Sequence, residues 1–202
     1  MNSDASGPAA APALSGWMDQ VRQRLSRWER REVAVPAGAR RAGVLLPLFV
    51  RDARLWIVFT KRTESVEHHR GQISFPGGGE EPGDATLYHT ALRETEEELG
   101  VRPEDVLPLG RLSPIYTVTN FYVEPFVGAI PQPYEFRPAE AEIADVLEVP
   151  VSALLDPAIL EKKPFPGRDE LVLYYHYEES VIWGATARIL SELLAALEAP
   201  AV

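Results

Sequence analysis

Between Ser15 and Glu29 the apolar residues Trp17, Val21, Leu25 and Trp28 recur at near-helical spacing, which predicts an amphipathic helix packed on the domain or on a partner. Two apolar, β-branched runs follow, Ala42–Val50 and Leu55–Thr60, joined by Arg51-Asp52-Ala53-Arg54. They read as two strands and a turn, with Pro47 restricting what the first can pair with. Beyond a glycine-rich stretch, Tyr88, Leu92, Thr95 and Leu99 return to helical spacing, with Asp84 placed to cap the helix and Gly100 to stop it in a left-handed conformation. Val106–Ile130 carries further strands around a Ser113–Asn120 loop, and Leu171–Tyr177 is another strand. Ile189, Leu193 and Leu197 step along a last helix over Ala185–Leu197. Strands interleaved with helices, without an internal repeat, predict an α/β or α+β fold with a mixed sheet and helices on its faces. Patterning alone leaves open which of the two.

The chain has 202 residues, 46% of them hydrophobic, enough for one sizeable core, so a single domain is expected. Residues 1–14, with an Ala/Pro stretch that can bury little surface, predict a mobile tail, 15–30 the N-terminal helix and 31–198 the domain. No apolar run approaches the roughly 18 residues of a membrane span, and Met1–Leu14 lacks a basic stretch followed by an apolar block. A soluble, cytoplasmic chain with no membrane partner is the expectation. The absence of cysteine removes disulfides, thiolate metal sites and a thiol nucleophile, leaving oxygen and imidazole ligands for any metal. A net charge of -10 argues against broad nucleic-acid binding, while a small polyanion can still bind through local cations and bridging metal.

The candidate chemistry lies in Gly77-Gly78-Gly79-Glu80-Glu81-Pro82-Gly83-Asp84 and the helix carrying Arg93-Glu94-Thr95-Glu96-Glu97-Glu98-Leu99-Gly100-Val101. At about 100° per residue, Glu94, Glu97 and Glu98 share one flank, across the helix from the Tyr88, Leu92, Thr95 and Leu99 stripe. Carboxylates so close repel one another, at roughly 0.2–0.5 kcal/mol per neighbouring pair on a helix, and a hard divalent cation removes that cost. Such a flank suits Mg²⁺ or Mn²⁺ held by carboxylates, waters and substrate phosphate. A run of glutamates alone is usually a solvated face; the preceding glycines, which let backbone approach a ligand, change that reading.

The segment resembles the signature of the Nudix hydrolases: a glycine, a spaced acid, then Arg-Glu-apolar-any-Glu-Glu-any-Gly-apolar. Its second half matches from Arg93 to Val101, with Thr95 at a usually aliphatic position. The first half departs from it. Counting back from Arg93 places the acid on Ala85 and the glycine on Gly79, whereas Gly78 and Asp84 fit with one extra residue before Arg93. The resemblance implies a mixed β-sheet sandwiched between helices, with Glu94, Glu97 and Glu98 binding metal and Arg93 orienting a glutamate by an ion pair. It also implies that Gly78 lends backbone to metal or phosphate, and that water attacks a phosphorus of a nucleoside diphosphate conjugate.

Upstream, Thr60-Lys61-Arg62-Thr63, Gly71 and Phe75-Pro76-Gly77-Gly78 resemble the additional motif of the coenzyme A pyrophosphatase branch. Similarity continues through Ser113-Pro114, Asn120–Gly128, Glu142–Pro150 and Trp183–Ala187. The resemblance implies coenzyme A or its thioesters as substrate, contacted by Lys61, Arg62, His69 and Arg70, and a further metal-binding or water-activating role for Glu142. Glu67 stands where that branch has an arginine, and Arg70 is the neighbouring cation that could replace it. His68, His89 and His176 are read as structural or exposed, and Tyr122 and Trp183 as core. Two other functions compete: hydrolysis of another conjugate such as ADP-ribose, favoured by Glu67, and a non-catalytic nucleotide-binding module on the same fold. A helical interaction protein using the Trp17 and Trp28 face would leave the glycine and glutamate arrangement unexplained.

Overall fold

A computed structural model describes residues 11–63, 71–164 and 171–198, with 11–15 described for backbone only. Its elements in chain order are α1 (Ala11–Arg27), β1 (Arg40–Arg51), β2 (Arg54–Arg62), β3 (Ile73–Ser74), β4 (Gly77–Gly79) and α2 (Leu87–Leu99). They continue with β5 (Leu107–Arg111), β6 (Ile115–Tyr116), β7 (Phe121–Ala129), β8 (Ile143–Pro150), α3 (Val151–Leu154), β9 (Leu160–Pro164), β10 (Leu171–Tyr177), β11 (Ser180–Trp183) and α4 (Gly184–Glu198). The hairpin between β1 and β2 turns through Asp52 and Ala53 at φ 52° and 57°, the left-handed pair that a tight two-residue connection demands.

β1 runs through the middle of an eight-stranded sheet, parallel to β7 on one side and antiparallel to β2 on the other, so the sheet is mixed. The β1–β2 ladder covers only Leu48–Arg51 against Arg54–Ile57; beyond it the two strands part and a second segment fills the fork. β3 pairs with β2 at Thr60 and Lys61, and β4 pairs with β1 from Ala42 to Val44. Pro47 sits in β1 where its neighbour changes from the glycine run to β2, a place where a missing N–H costs little. β8 lies along the far side of β2.

Strand alternation divides the core between the two faces. On one face Leu45, Phe49, Val58 and Phe126 meet Leu87, Ala91, Leu92 and Leu99 of α2. On the other, Leu46, Leu48, Ile57 and Phe59 meet Val21 and Leu25 of α1, Leu190 and Leu193 of α4, and Tyr175 and Ile182 of a second sheet, β9-β10-β11. The fold is therefore the expected mixed sheet between helices, in one domain.

The helix that begins the described chain is tied to the one that ends it. Buried Glu192 on α4 accepts hydrogen bonds from the Trp28 indole and from the backbone N–H and hydroxyl of Ser113, while Ser113 Oγ accepts from Arg31 N. A buried carboxylate needs such donors, and losing them would leave its oxygens unsatisfied away from water. α1 starts at Ala11, inside the 1–14 stretch anticipated as a tail and ahead of the anticipated Ser15. It ends at Arg27, before the anticipated Glu29, which leaves Trp28 free of the helix to make this contact. Trp183, anticipated as core, is 37% exposed and stacks on Tyr174 at the rim of the second sheet. Tyr122 packs partly buried against the core under α2.

Candidate active site

α2 begins two residues later than its sequence suggests. Thr86, extended at φ -153°, is the N-cap and its hydroxyl accepts from His89 N; Gly100 at φ 70° ends the helix as anticipated. Asp84 cannot cap because its carboxylate is engaged elsewhere. It accepts from Glu81 N, Thr90 Oγ1 and, through both oxygens, from Arg93 Nε and Nη2 at 3.1 Å. These donors, with the guanidinium first among them, hold the Asp84 carboxyl well below the usual carboxylate range. The two-pronged pair answers the ambiguity in the motif: Asp84, counted from Gly78, is the acid that Arg93 grips.

Arg93 uses every arm. Besides Asp84, its Nη1 reaches Glu94 Oε1 and Glu97 Oε2, and its Nη2 donates to the carbonyl of Gly79, all at 3.1 Å. Its bonds to Asp84 push its own proton affinity up, so it is a permanent cation that fixes three carboxylates and the glycine strand relative to one another.

The acidic flank is not purely solvent-facing. Leu87, Ala91, Thr95 and Glu98 are all buried, because the buried arc of α2 is wider than its apolar stripe. The helix lies close on strands that carry no side chains there: a Cβ at Gly43 would stand 2.0 Å from Leu87 O, and one at Gly78 would stand 2.4 Å from the Glu94 carboxyl carbon. Gly77, at φ 146°, donates its N–H to Glu98 Oε2 at 3.2 Å. Thr95, unexpected at an aliphatic position, is buried with its hydroxyl donating back to Ala91 O at 2.6 Å. Burial raises the Glu98 carboxyl to about 7 against the opposing pulls of Gly77 N–H and Arg62, and burial also pushes Glu94 up.

The far end of the cluster is supplied by a loop. Arg137 N and Ala139 N donate to the free carbonyls of Leu99 and Glu98 at the C-terminus of α2, and Thr63 N donates to Glu142 O. Those bonds deliver Glu142, in the turn that precedes β8, to the end of β2. There Arg62 lies between acids, Nη1 3.6 Å from Glu98 Oε1 and Nη2 3.6 Å from Glu142 Oε2. Of the residues singled out in the sequence, Glu94, Glu97, Glu98, Arg93, Gly78, Arg62 and Glu142 thus stand in one connected constellation.

Lys61 does not join them. Alternation along β2 turns it away from Arg62, into a separate cleft of about 390 Å³ lined also by Gln72, Ile73, Val181 and Trp183. Glu67, His68, His69 and Arg70 lie outside the described residues. The role of Asp84 was the one sequence reasoning missed; its signal was the Gly78-to-Asp84 spacing.

The donor set is carboxylate and backbone oxygen, the chemistry of Mg²⁺ or Mn²⁺, and the missing Cβ at Gly78 is the cradle in which the Glu94 carboxylate rests. Glu98, buried and raised, gains from a cation beside it. The residues fit such a group. Among the described residues, no three acidic or histidine side chains are already gathered into a metal cage; arginines stand among them instead.

Comparison with known proteins agrees with this geometry. The NUDIX domain family model matches residues 39–173. A Citrobacter koseri protein named uncharacterized Nudix hydrolase NudL is 40% identical over 159 residues, covering 76% of this chain and 81% of its own. Its Photorhabdus laumondii namesake is 35% identical over 156 residues, covering 76% and 83%. The crystal structure of a NUDIX hydrolase from Alicyclobacillus acidocaldarius superposes with a TM-score of 0.55 at 19% identity, over 80% of this chain and 93% of that one, a likeness of fold. With a buried, arginine-braced carboxylate helix beneath a glycine strand and a family match across most of its length, the chain belongs to the Nudix family of pyrophosphate-bond hydrolases.

Proposed function

We propose that this Nudix hydrolase cleaves coenzyme A, and its thioesters, between the two phosphorus atoms of the pyrophosphate, giving 4′-phosphopantetheine and 3′,5′-adenosine bisphosphate. The observation that carries the substrate reading is the placement of the Thr60-to-Gly78 motif against the carboxylate helix. Thr60 Oγ1 donates to Ser74 O, Phe59 stacks on Phe75 at 4.7 Å, and Arg62 N donates to Gln72 O. The two halves of the motif are thereby zipped together in the fork, and Arg62 and Gly78 enter the same cluster.

In this reading Glu94, Glu97 and Glu98, with backbone at Gly78, hold Mg²⁺ or Mn²⁺. The bound cation neutralises phosphate charge and makes the attacking water more acidic. Arg93 keeps the Glu94 and Glu97 carboxylates pointed inward. Glu142, on the rim and half exposed, takes the proton from the attacking water, a task Glu97 could share. Arg62, with His69 and Arg70, binds the substrate's phosphates, and the extra 3′-phosphate gives this basic group its purpose; Lys61, turned into its own cleft, takes no part.

Glu67, where the coenzyme A branch carries an arginine, favours a second reading in which a less anionic conjugate such as ADP-ribose is preferred. Incubating purified protein separately with coenzyme A, ADP-ribose and a nucleoside triphosphate, each with Mg²⁺ or Mn²⁺, and identifying products decides between them. Phosphopantetheine and adenosine bisphosphate support the first; intact coenzyme A with brisk ADP-ribose turnover refutes it and leaves the hydrolase assignment standing.

A further inference from the structure

We propose that Arg62 is a resident counter-ion of the carboxylate cluster, which a divalent cation must displace, so that this residue sets how tightly the chain takes metal and when its own side chain becomes available to phosphate. The inference rests on the reading of α2 as the metal-binding element.

Two arginines enter the cluster and they are held in opposite ways. Every nitrogen of Arg93 has an acceptor at 3.1 Å, and it is locked by Asp84. Among the described residues Arg62 has ion pairs only at 3.6 Å, beyond the length of a hydrogen bond, to Glu98 on one side and Glu142 on the other. Its Nε is fully buried and has no hydrogen-bond partner among the described residues. Buried donors left unpaired are uncommon and costly, and here the donor belongs to a charged group. The guanidinium is thus drawn to its place by the field of the surrounding carboxylates, without the directional bonds that would keep it there.

A divalent cation brings twice the charge and binds carboxylate oxygens directly. Arg62 Nη1 lies within 3.6 Å of an oxygen of Glu98, one of the proposed metal-binding carboxylates, so the two cations would repel each other across a single carboxylate. Metal and guanidinium therefore compete for Glu98. When the metal wins, Arg62 gives up the Glu98 contact and its unpaired Nε gains the freedom to find an acceptor at the rim, where Glu142 stands. An arriving phosphate oxygen offers that acceptor. The arrangement orders events: metal first, then an arginine free to grip the substrate.

The test is Mn²⁺ binding alone, without nucleotide, to the full chain at pH 8, read from the electron paramagnetic resonance signal of free Mn²⁺. Arg62→Gln, which removes the competing charge, is expected to bind Mn²⁺ at least fivefold more tightly than wild type; Arg62→Lys, which keeps the charge, is expected to change affinity less than twofold. Affinity in a folded Arg62→Gln within twofold of wild type, or weaker, overturns the proposal. If Arg62→Gln does not fold, the Arg62 Nε–H resonance of arginine-labelled wild type decides: a shift on adding Mg²⁺ supports displacement, and an unmoved resonance at saturation refutes it. Absence of Mn²⁺ binding in wild type and both variants would remove this proposal together with the metal-hydrolase reading, whereas equal binding removes this proposal alone.

Discussion

Replacing Asp84 by Asn separates the scaffold of the active site from its chemistry. Asp84 touches neither Glu98 nor Glu142, yet it anchors Arg93, and Arg93 in turn holds Glu94, Glu97 and the Gly79 carbonyl. Asn keeps the size of the side chain and one acceptor oxygen, but faces the guanidinium with an amide N–H₂ that cannot accept. Breaking a well-buried ion pair by removing one partner costs about 3–5 kcal/mol; the Asp84 side chain is 6% exposed but that of Arg93 is 24%, so solvent screening lowers the expectation to about 2–3 kcal/mol. For a chain of 202 residues this corresponds to a fall in melting temperature of roughly 5–10 °C. Turnover is expected to fall by about 10- to 100-fold, because the metal-binding carboxylates lose a fixed brace. The carboxyl of Asp84 is depressed in the folded chain. Its stabilisation is present above the ordinary carboxylate pKa and fades as pH falls below it, so Asp84→Asn should show a smaller loss of stability between neutral and acid pH than wild type. Thermal denaturation across pH, alongside turnover at neutral pH, measures all three. A melting temperature within 1 °C of wild type and turnover within twofold would mean that the Asp84–Arg93 pair does not organise the site.

Turnover should require added divalent cation, and Glu97→Gln and Glu98→Gln should each lower it by roughly two orders of magnitude or more without unfolding the chain; full activity in excess chelator, or in both variants, would return these glutamates to surface decoration. Gly78→Ala would place a Cβ 2.4 Å from the Glu94 carboxyl carbon and should weaken Mn²⁺ binding at least tenfold by titration, while unchanged affinity would show that Glu94 can move aside freely. Glu98, raised to about 7 by burial, binds a proton in the folded chain at pH values where the unfolded chain has lost it, so its own contribution to metal-free stability, the difference between wild type and Glu98→Gln, is fully present below the ordinary glutamate pKa and is lost as pH rises toward 7. Metal affinity should run the other way, rising up to tenfold per pH unit between about 5 and 7; an affinity flat across that range would contradict the assignment of Glu98 as a ligand.

Hydrophobic periodicity located the main elements well wherever one face of an element meets the core: the β1–β2 hairpin, α2 and α4 lie close to where their apolar residues predicted. It could not anticipate the fork, because the glycines of β4 have no side chains to pattern and their pairing is decided by which backbone lies beside them. Periodicity also set the acidic flank apart from the core, when Glu98 is in fact buried; the closeness that buries it comes from glycines on another strand. Lys61 and Arg62, adjacent in sequence and equally basic, were grouped together, and only their strand context sends one to the carboxylates and the other to a different cleft. That Arg93 orients a glutamate is what the family resemblance implies, and the structure shows the partners to be Glu94 and Glu97 on the same helix. The Asp84 partnership was not, since it depends on how the loop between the glycines and the helix folds back.

The Trp28–Glu192–Ser113 knot bears on where this protein could be trimmed. The family match ends at residue 173, yet α4 lies beyond it and α1 before it, and a carboxylate on α4 is satisfied by donors that α1 and the segment after β5 bring to it. Cutting back to the matched residues would remove the acid and strip Phe59 and Ile57 of their helical cover; cutting only α1 and the turn after it would leave a buried carboxyl group short of a donor. The two flanks work as the halves of a clasp, and the smallest unit expected to keep its shape therefore includes both.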